Sequence, residues 1–157
     1  MLNNIKTIQK DRGFTIVELL IVIVVIGILA AITIVAYNGI SNRAKTTSAQ
    51  TTAANVAKKL EAYNAEVGNY PATFGLLTAA GAAGTTYQMS ASDATFIATT
   101  DIAAGNATEK TINYADCTGA GGVGKRVSYW KFDAPTGIQR VYVGGATATS
   151  TCTNTAA

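Results

Sequence analysis

GFTIVELLIVIVVIGILAAITIVAY, which occupies residues 13–37, determines what the rest of this chain can be. After Glu18 no charged side chain occurs until Arg43. A helix of about 20 apolar residues spans the bilayer's hydrocarbon core of roughly 30 Å, because each residue adds about 1.5 Å. A 157-residue protein has too little other sequence to surround a helix that is apolar on every side. The run therefore predicts a transmembrane helix rather than the buried helix of a soluble domain.

A short basic leader precedes this run. Residues 1–13 carry three basic side chains and one acidic one, and basic residues before a membrane helix place the N-terminus in the cytoplasm. An ordinary secretory signal is the alternative. However, its apolar region usually has only about 7 to 15 residues, and no Ala-x-Ala cleavage site follows the run here. We therefore expect a retained anchor, with everything after Tyr37 outside the cytoplasm.

The composition argues against most kinds of enzyme. The length allows one domain with a modest core. The absence of histidine removes imidazole metal sites and histidine general-base catalysis. The 12 basic and 9 acidic residues give a net charge of +3. The basic residues are scattered along the sequence, whereas a nucleic-acid surface requires them to be clustered. We predict no enzyme activity, no metal, no cofactor and no specific nucleic-acid site.

Glu18 lies in the first turn of the apolar helix, where a carboxylate needs an explanation. A charge at bilayer depth costs about 2.5 to 3.5 kcal/mol, and less near the interface. Two interpretations are open. Either the carboxylate lies at the interface and benefits from the dipole of the helix N-terminus, or it pairs with a cation that another subunit brings.

Gly13, Phe14, Thr15 and Glu18, followed by the apolar run to Tyr37, resemble the G/F-T-x-x-E-L processing site of type IV prepilins and pseudopilins. The resemblance implies that a membrane aspartyl peptidase cuts after Gly13 and then N-methylates Phe14. It also implies that Glu18 neutralises the N-terminal amine of a neighbouring subunit and brings the incoming helix into register. On the alternative reading Gly13 is only a turn residue.

The resemblance implies an α+β pilin-like fold, in which a long helix packs on a small antiparallel sheet. One helix is predicted from about Phe14 to about Val67, with a transmembrane half at residues 14–37 and an amphipathic half at residues 38–67. Many pilins have a proline where this chain has Val35, so one cause of helix melting is absent. The apolar positions of the second half recur every three or four residues and predict a stripe on the sheet: Val56, Leu60, Tyr63 and Val67.

Residues 68–157 are predicted to form the extracellular head. Gly68 and Pro71 end the helix, and the Ala/Gly/Thr-rich segment through Thr86 is predicted to be a surface loop. Residues 95–99, 111–115, 127–132 and 138–143 are predicted to be strands, with a hairpin connection at residues 133–137. Tyr129, Trp130, Phe132 and Tyr142 are expected to alternate between the helix interface and the outside. The polar residues 46–52 are expected to face solvent or neighbouring subunits.

The chain has two cysteines, Cys117 and Cys152, and both lie in the part predicted to be extracytoplasmic, where a disulfide persists. A disulfide between them is predicted, and free thiols are the alternative. A C-terminal region bounded by a disulfide is similar to the D-region of type IV pilins. This similarity favours a pilin over the major pseudopilin of type II secretion.

Residues 119–125 read GAGGVGK and match the first seven positions of a phosphate-binding P-loop. Arg126 then stands where a Ser or Thr hydroxyl is needed for magnesium, and the segment precedes a predicted strand rather than a helix. We interpret it as a glycine-rich surface loop.

The resulting hypothesis is a structural subunit of a type IV pilus that serves adhesion, twitching motility or DNA uptake. Its expected partners are other copies of the chain, the prepilin peptidase and methyltransferase, the inner-membrane assembly machinery and, before assembly, the lipid bilayer. We expect a single-pass precursor in the cell membrane that becomes part of an extracellular filament. Two alternatives remain: a pseudopilin of a type II secretion or competence system, and a monomeric anchored surface protein.

Overall fold

The computed structural model describes residues 13–78, 84–97, 102–118 and 123–154. The leader prediction falls outside these residues, except for Gly13. The chain divides into two compact units, Met1–Asn38 and Gly39–Ala157, and each is described by itself below.

The first unit contains the beginning of helix α1 (Ile16–Val67). Every residue from 13 to 38 is exposed. The most apolar 18-residue window of the helix has a mean hydropathy of 3.3, and none of it is buried inside the protein. The long helix is therefore confirmed, and its apolar part does not serve as the core of a soluble domain.

In the second unit the rest of α1 packs on the sheet through one face. Its buried residues are small or aliphatic: Ala49, Ala53, Val56, Ala57 and Leu60. Val56 and Leu60 confirm the predicted stripe, and Tyr63 packs against the same core. Val67 was predicted wrongly, since it is 46% exposed at the last position of the helix. The alanines extend the buried face toward the N-terminus, where their small side chains allow the helix to approach the sheet closely.

The helix ends as predicted at Gly68. This residue has φ of 83°, a left-handed conformation that suits glycine, and its N–H donates to the carbonyl of Asn64 at 2.9 Å. The following segment is more than a loop, which corrects the prediction. It contains the short helix α2 (Gly75–Thr78), and the side chains of Phe74 and Leu77 are buried. Two apolar side chains in an otherwise Ala/Thr-rich segment are enough to anchor it.

Among the described residues the sheet has five strands: β1 (Thr95–Ile97), β2 (Thr111–Thr118), β3 (Gly124–Lys131), β4 (Gly137–Gly144) and β5 (Thr151–Asn154). The order is β1-β2-β3-β4, and β5 also pairs with β2. The four predicted strands are present, although residues 98 and 99 lie outside the described residues. The prediction of an antiparallel sheet was wrong for β1, which runs parallel to β2. A long connection returns the chain to the same end of the sheet, as parallel pairing requires. Strand β5 was not predicted.

The core lies between α1 and one face of the sheet. On that face Ile112 is opposite Tyr129, and Tyr114 is opposite Val127; all four belong to the buried cluster. Alternation along the strands places their neighbours on the other face. Of the predicted aromatic residues, Tyr129 is buried on the core face, whereas Trp130, Phe132 and Tyr142 are half-buried. Phe132 packs against the same core as Tyr129.

Strands β3 and β4 form the predicted hairpin. Its connection contacts α1, because the Thr46 hydroxyl donates to the Asp133 carboxylate at 2.6 Å and accepts from the Phe132 N–H at 2.9 Å. The Thr52 hydroxyl donates to the carbonyl of Glu109 at 3.2 Å. Part of the polar run 46–52 therefore contacts its own head rather than facing solvent, which corrects the expectation. Polar side chains fit there because backbone groups of the head, the Phe132 N–H and the Glu109 carbonyl, need hydrogen-bond partners.

Candidate processing and assembly site

The first turn of α1 is closed by a capping box formed by Thr15 and Glu18. The N–H and the hydroxyl of Thr15 both donate to Glu18 Oε2 at 2.8 Å, and the Glu18 N–H donates to the Thr15 hydroxyl at 3.2 Å. This reciprocal pattern satisfies two backbone donors that the helix itself cannot satisfy. The helix start is therefore fixed by two residues of the predicted processing motif.

Thr15 is a site residue that the sequence interpretation did not single out for this role. The signal was present, since Ser or Thr followed three positions later by Glu, just before an apolar run, is the sequence form of a capping box. Within the described chain, Glu18 Oε1 has no hydrogen-bond partner. The interfacial interpretation of Glu18 thus accounts for one carboxylate oxygen, and the other oxygen can still accept a donor from outside.

Gly13 and Phe14 precede the helix. Both residues are outside any helix or strand, Phe14 is 90% exposed, and nothing approaches within 4 Å of the position that a Gly13 Cβ would occupy. A peptide bond that lies outside regular structure and is accessible is the form a protease can bind. The geometry therefore suits cleavage between these two residues.

The surface of the helix over residues 16–37 is almost wholly apolar and exposed. Leu19, Ile23 and Val35 are 63%, 58% and 75% exposed. The Thr33 hydroxyl donates to the carbonyl of Ala30 at 3.0 Å, so this polar group is satisfied within the helix, as hydrocarbon requires. Soluble monomers rarely expose apolar patches beyond a few hundred Å². Lipid or other protein chains must therefore cover this surface.

Residues 8–34 match the family described as the prokaryotic N-terminal methylation motif, the leader signature of type IV pilins and pseudopilins. Over these residues the chain carries that leader signature, and its fold is α+β and pilin-like. The matched region contains Gly13, Phe14 and Glu18 and ends before the head. No solved structure matches the chain.

The predicted disulfide between Cys117 and Cys152 is present in the head. The two residues are direct partners in the pairing of β2 with β5, and Cys117 is fully buried. The bond therefore attaches the last strand of the described chain to an inner strand of the sheet.

The described part of the P-loop-like run leads into the sheet. Residues 119–122 lie outside the described residues, while Gly124 and Lys125 begin strand β3. Lys125 is only 3% exposed, forms an ion pair with Asp116, and has its Nζ 4.8 Å from the centre of the Tyr114 ring. Burial lowers the pKa of Lys125 to about 8, and the nearby carboxylate opposes this shift. The lysine is thus held inside the pilin-like head and is not presented to a phosphate.

A metal site is not assembled by the side chains that the structure describes. Among them, no three His, Cys, Asp or Glu residues cluster closely enough to hold an ion.

Proposed function

We propose that this pilin-like protein is a structural subunit of a type IV pilus and polymerises into an extracellular filament. The observation that carries the proposal is the exposed apolar surface of residues 16–37, which overlaps the methylation motif at residues 8–34. A single anchored copy would bury this surface in lipid, and a filament would bury it against the same surface of other copies. Adhesion, twitching motility or DNA uptake would be the filament's task.

The proposed precursor has four segments. Residues 1–13 are the leader, residues 14–37 the membrane and assembly half of α1, residues 38–67 its amphipathic half, and residues 68–157 the extracellular head. The prepilin peptidase and methyltransferase would cut between Gly13 and Phe14 and methylate the new amine of Phe14. The inner-membrane assembly machinery would then extract the subunit from the bilayer.

Glu18 is proposed to guide assembly through its charge. Cleavage creates a cation at Phe14, which is unfavourable in hydrocarbon unless a carboxylate neutralises it. The Glu18 carboxylate keeps one oxygen outside the capping box, so pairing with the amine of a neighbouring subunit does not require the helix start to open. A half-made charge pair in a low-dielectric environment is costly, so the assembled state is favoured over a mismatched one.

A pilus is preferred to a pseudopilus because of the head. The disulfide between Cys117 and Cys152 encloses the hairpin of β3 and β4, and this resembles the D-region of pilins. The pseudopilin of a secretion or competence system is the competing assignment. Surface fibres built chiefly from this chain would support the pilus, and a trace protein confined to the envelope would support the pseudopilus.

The first experiment is mass spectrometry of the N-terminus in material sheared from the cell surface. A peptide that begins at N-methylated Phe14 in the most abundant protein is the expected result. Mature protein that retains residues 1–13, or that begins after residue 37, would refute processing and polymerisation together.

The second experiment separates the charge of Glu18 from its capping role. Glu18→Gln keeps one acceptor oxygen for the Thr15 donors but removes the charge, whereas Thr15→Val removes the hydroxyl of the cap and keeps the charge. We expect Glu18→Gln to abolish surface filaments while the membrane level of the subunit stays normal. Filaments at wild-type levels from Glu18→Gln, together with their loss in Thr15→Val, would show that Glu18 acts only as a cap.

A further inference from the structure

A cavity of about 350 Å³ lies on the head, between α1 and the segments that lead into β1 and β2. Its size is at the lower end of the range of about 300 to 1,000 Å³ that small-ligand pockets occupy. All the residues that line it belong to the second compact unit. It is separate from the processing motif and from the apolar surface of residues 16–37, so it bears on a function beyond polymerisation.

Three lysines line this cavity: Lys58, Lys59 and Lys110. The single acidic residue in the lining is Asp93, whose carboxylate already accepts the N–H of Ser90 at 3.0 Å. The ion pair found among the described residues is formed by Lys125 elsewhere in the head. The three lysines outnumber the one carboxylate of the lining, so the lining has a net positive charge.

Two of these ammonium groups are held in place by neutral acceptors. Lys59 Nζ donates to the carbonyl of Thr86 at 2.6 Å, and Lys110 Nζ donates to the carbonyl of Ser92 at 2.9 Å. An ammonium group has three donors, so each retains two for a ligand, and a carbonyl leaves its full charge in place. Side chains that are already ordered lose less entropy when a ligand binds. The site is thus prearranged for an anion.

The remaining lining is mixed in character. Thr52 offers its hydroxyl oxygen as an acceptor, since its proton is donated to the carbonyl of Glu109. Asn55 offers an amide, and Met89 is a nearly buried apolar side chain at 6% exposure. A sugar ring has hydroxyl groups at its edge and C–H groups on its faces, and so matches such a lining. A bare inorganic anion would leave the apolar part and most of the volume unused. We infer that this cavity binds an anionic sugar that carries a phosphate or sulfate group.

Binding is tested with the full-length protein in neutral detergent by isothermal titration calorimetry, using glucose 6-phosphate, glucose 6-sulfate and neutral glucose as probes. We expect saturable binding of one or both anionic sugars and none of glucose. Dextran sulfate as a fourth probe distinguishes a polymeric source from a free sugar. Equal affinity for glucose, or no saturable binding of any probe up to about 10 mM, overturns the inference.

Variants connect the binding to the cavity. Lys59→Gln with Lys110→Gln is expected to weaken binding at least tenfold, because two charge-assisted hydrogen bonds are lost. Lys45→Gln with Arg140→Gln removes the same charge from exposed positions outside the cavity and is expected to have little effect. Lys58→Gln is a second cavity variant; since Lys58 is exposed, the fold does not depend on it, and we expect about threefold weaker binding.

The comparison of these variants is decisive in both directions. Equal weakening in the cavity and control variants would indicate binding by net charge alone and would overturn the site. An oligodeoxynucleotide that binds where glucose 6-phosphate and glucose 6-sulfate do not would also overturn it, in favour of a nucleic-acid surface. Neither result would affect the proposal of polymerisation, which the N-terminal peptide tests separately.

Discussion

Reduction of the disulfide between Cys117 and Cys152 should remove a large part of the stability of the head. The cysteines are 35 positions apart. In the chain-entropy account, a crosslink that closes a loop of this length restricts the unfolded chain by about 13 cal/mol/K, or about 4 kcal/mol at 25 °C. A small domain has only about 5 to 15 kcal/mol in total. The reduced head is therefore expected to retain only a small free energy of unfolding.

The measurement is urea unfolding of the full-length protein in neutral detergent, followed by the fluorescence of Trp130, the single tryptophan of the chain. Oxidised and reduced wild type are compared first, because both retain the sulfur atoms and differ only in the crosslink. Replacement of both cysteines by alanine should cost more, since Cys117 is fully buried and its loss also leaves a cavity. Thr151→Ala, an exposed neighbour of Cys152, is the control and should change little.

Two outcomes distinguish the explanations. The slope of unfolding free energy against urea should rise on reduction, because the released chain exposes more surface when unfolded. A loss below about 1 kcal/mol with an unchanged slope would refute the reasoning, since the crosslink would then not restrict the unfolded chain.

Four further substitutions test the head, three of them its packing and one its buried lysine. Leu60→Ala removes a fully buried side chain from the helix interface and should cost about 2 to 5 kcal/mol in urea unfolding, whereas Val67→Ala, at an exposed position, should cost under about 0.5 kcal/mol. Gly124→Ala would make its Cβ overlap the carbonyl oxygen of Val143. We expect a loss of about 1 to 3 kcal/mol and a lower thermal midpoint by circular dichroism. For Lys125, burial lowers the pKa to about 8 from 10.5, so between these two values the unfolded chain binds more protons than the folded chain. The free energy of unfolding should therefore rise from about pH 8 to about pH 10.5, and urea titrations of Lys125→Met should lose this rise.

Much of the helix could be predicted from local residues. A long uncharged apolar run has few structural options, and a glycine followed by proline ends a helix for backbone reasons alone, so both ends of α1 agree with prediction within two residues. The cysteine pair was also predictable, because the chain offers a single combination. The capping role of Thr15 was also predictable from nearby residues, because Thr15 and Glu18 have the spacing of a capping box.

The features that sequence reasoning missed depend on how distant segments meet. The direction of β1 is determined by the path of the chain before β2, and no residue within β1 encodes it. The sequence TCTN of β5 has no apolar alternation, so only its pairing with β2 makes it a strand. Ala49 and Ala53 are weak hydrophobic signals, yet their small side chains fit between the helix and the sheet. A lysine inside the head was not predictable either, because its burial depends on Asp116 across the strand pair.

The capping box also has a consequence for maturation. Thr15 and Glu18 both follow the proposed cleavage point, so the groups that fix where α1 begins remain with the mature chain. Proteolysis would therefore be uncoupled from refolding: the peptidase could remove the leader without unwinding a turn or creating a new one. The modified amine would then have the same position relative to the first turn of α1 in every subunit. Each copy could therefore pack on the next in the same register.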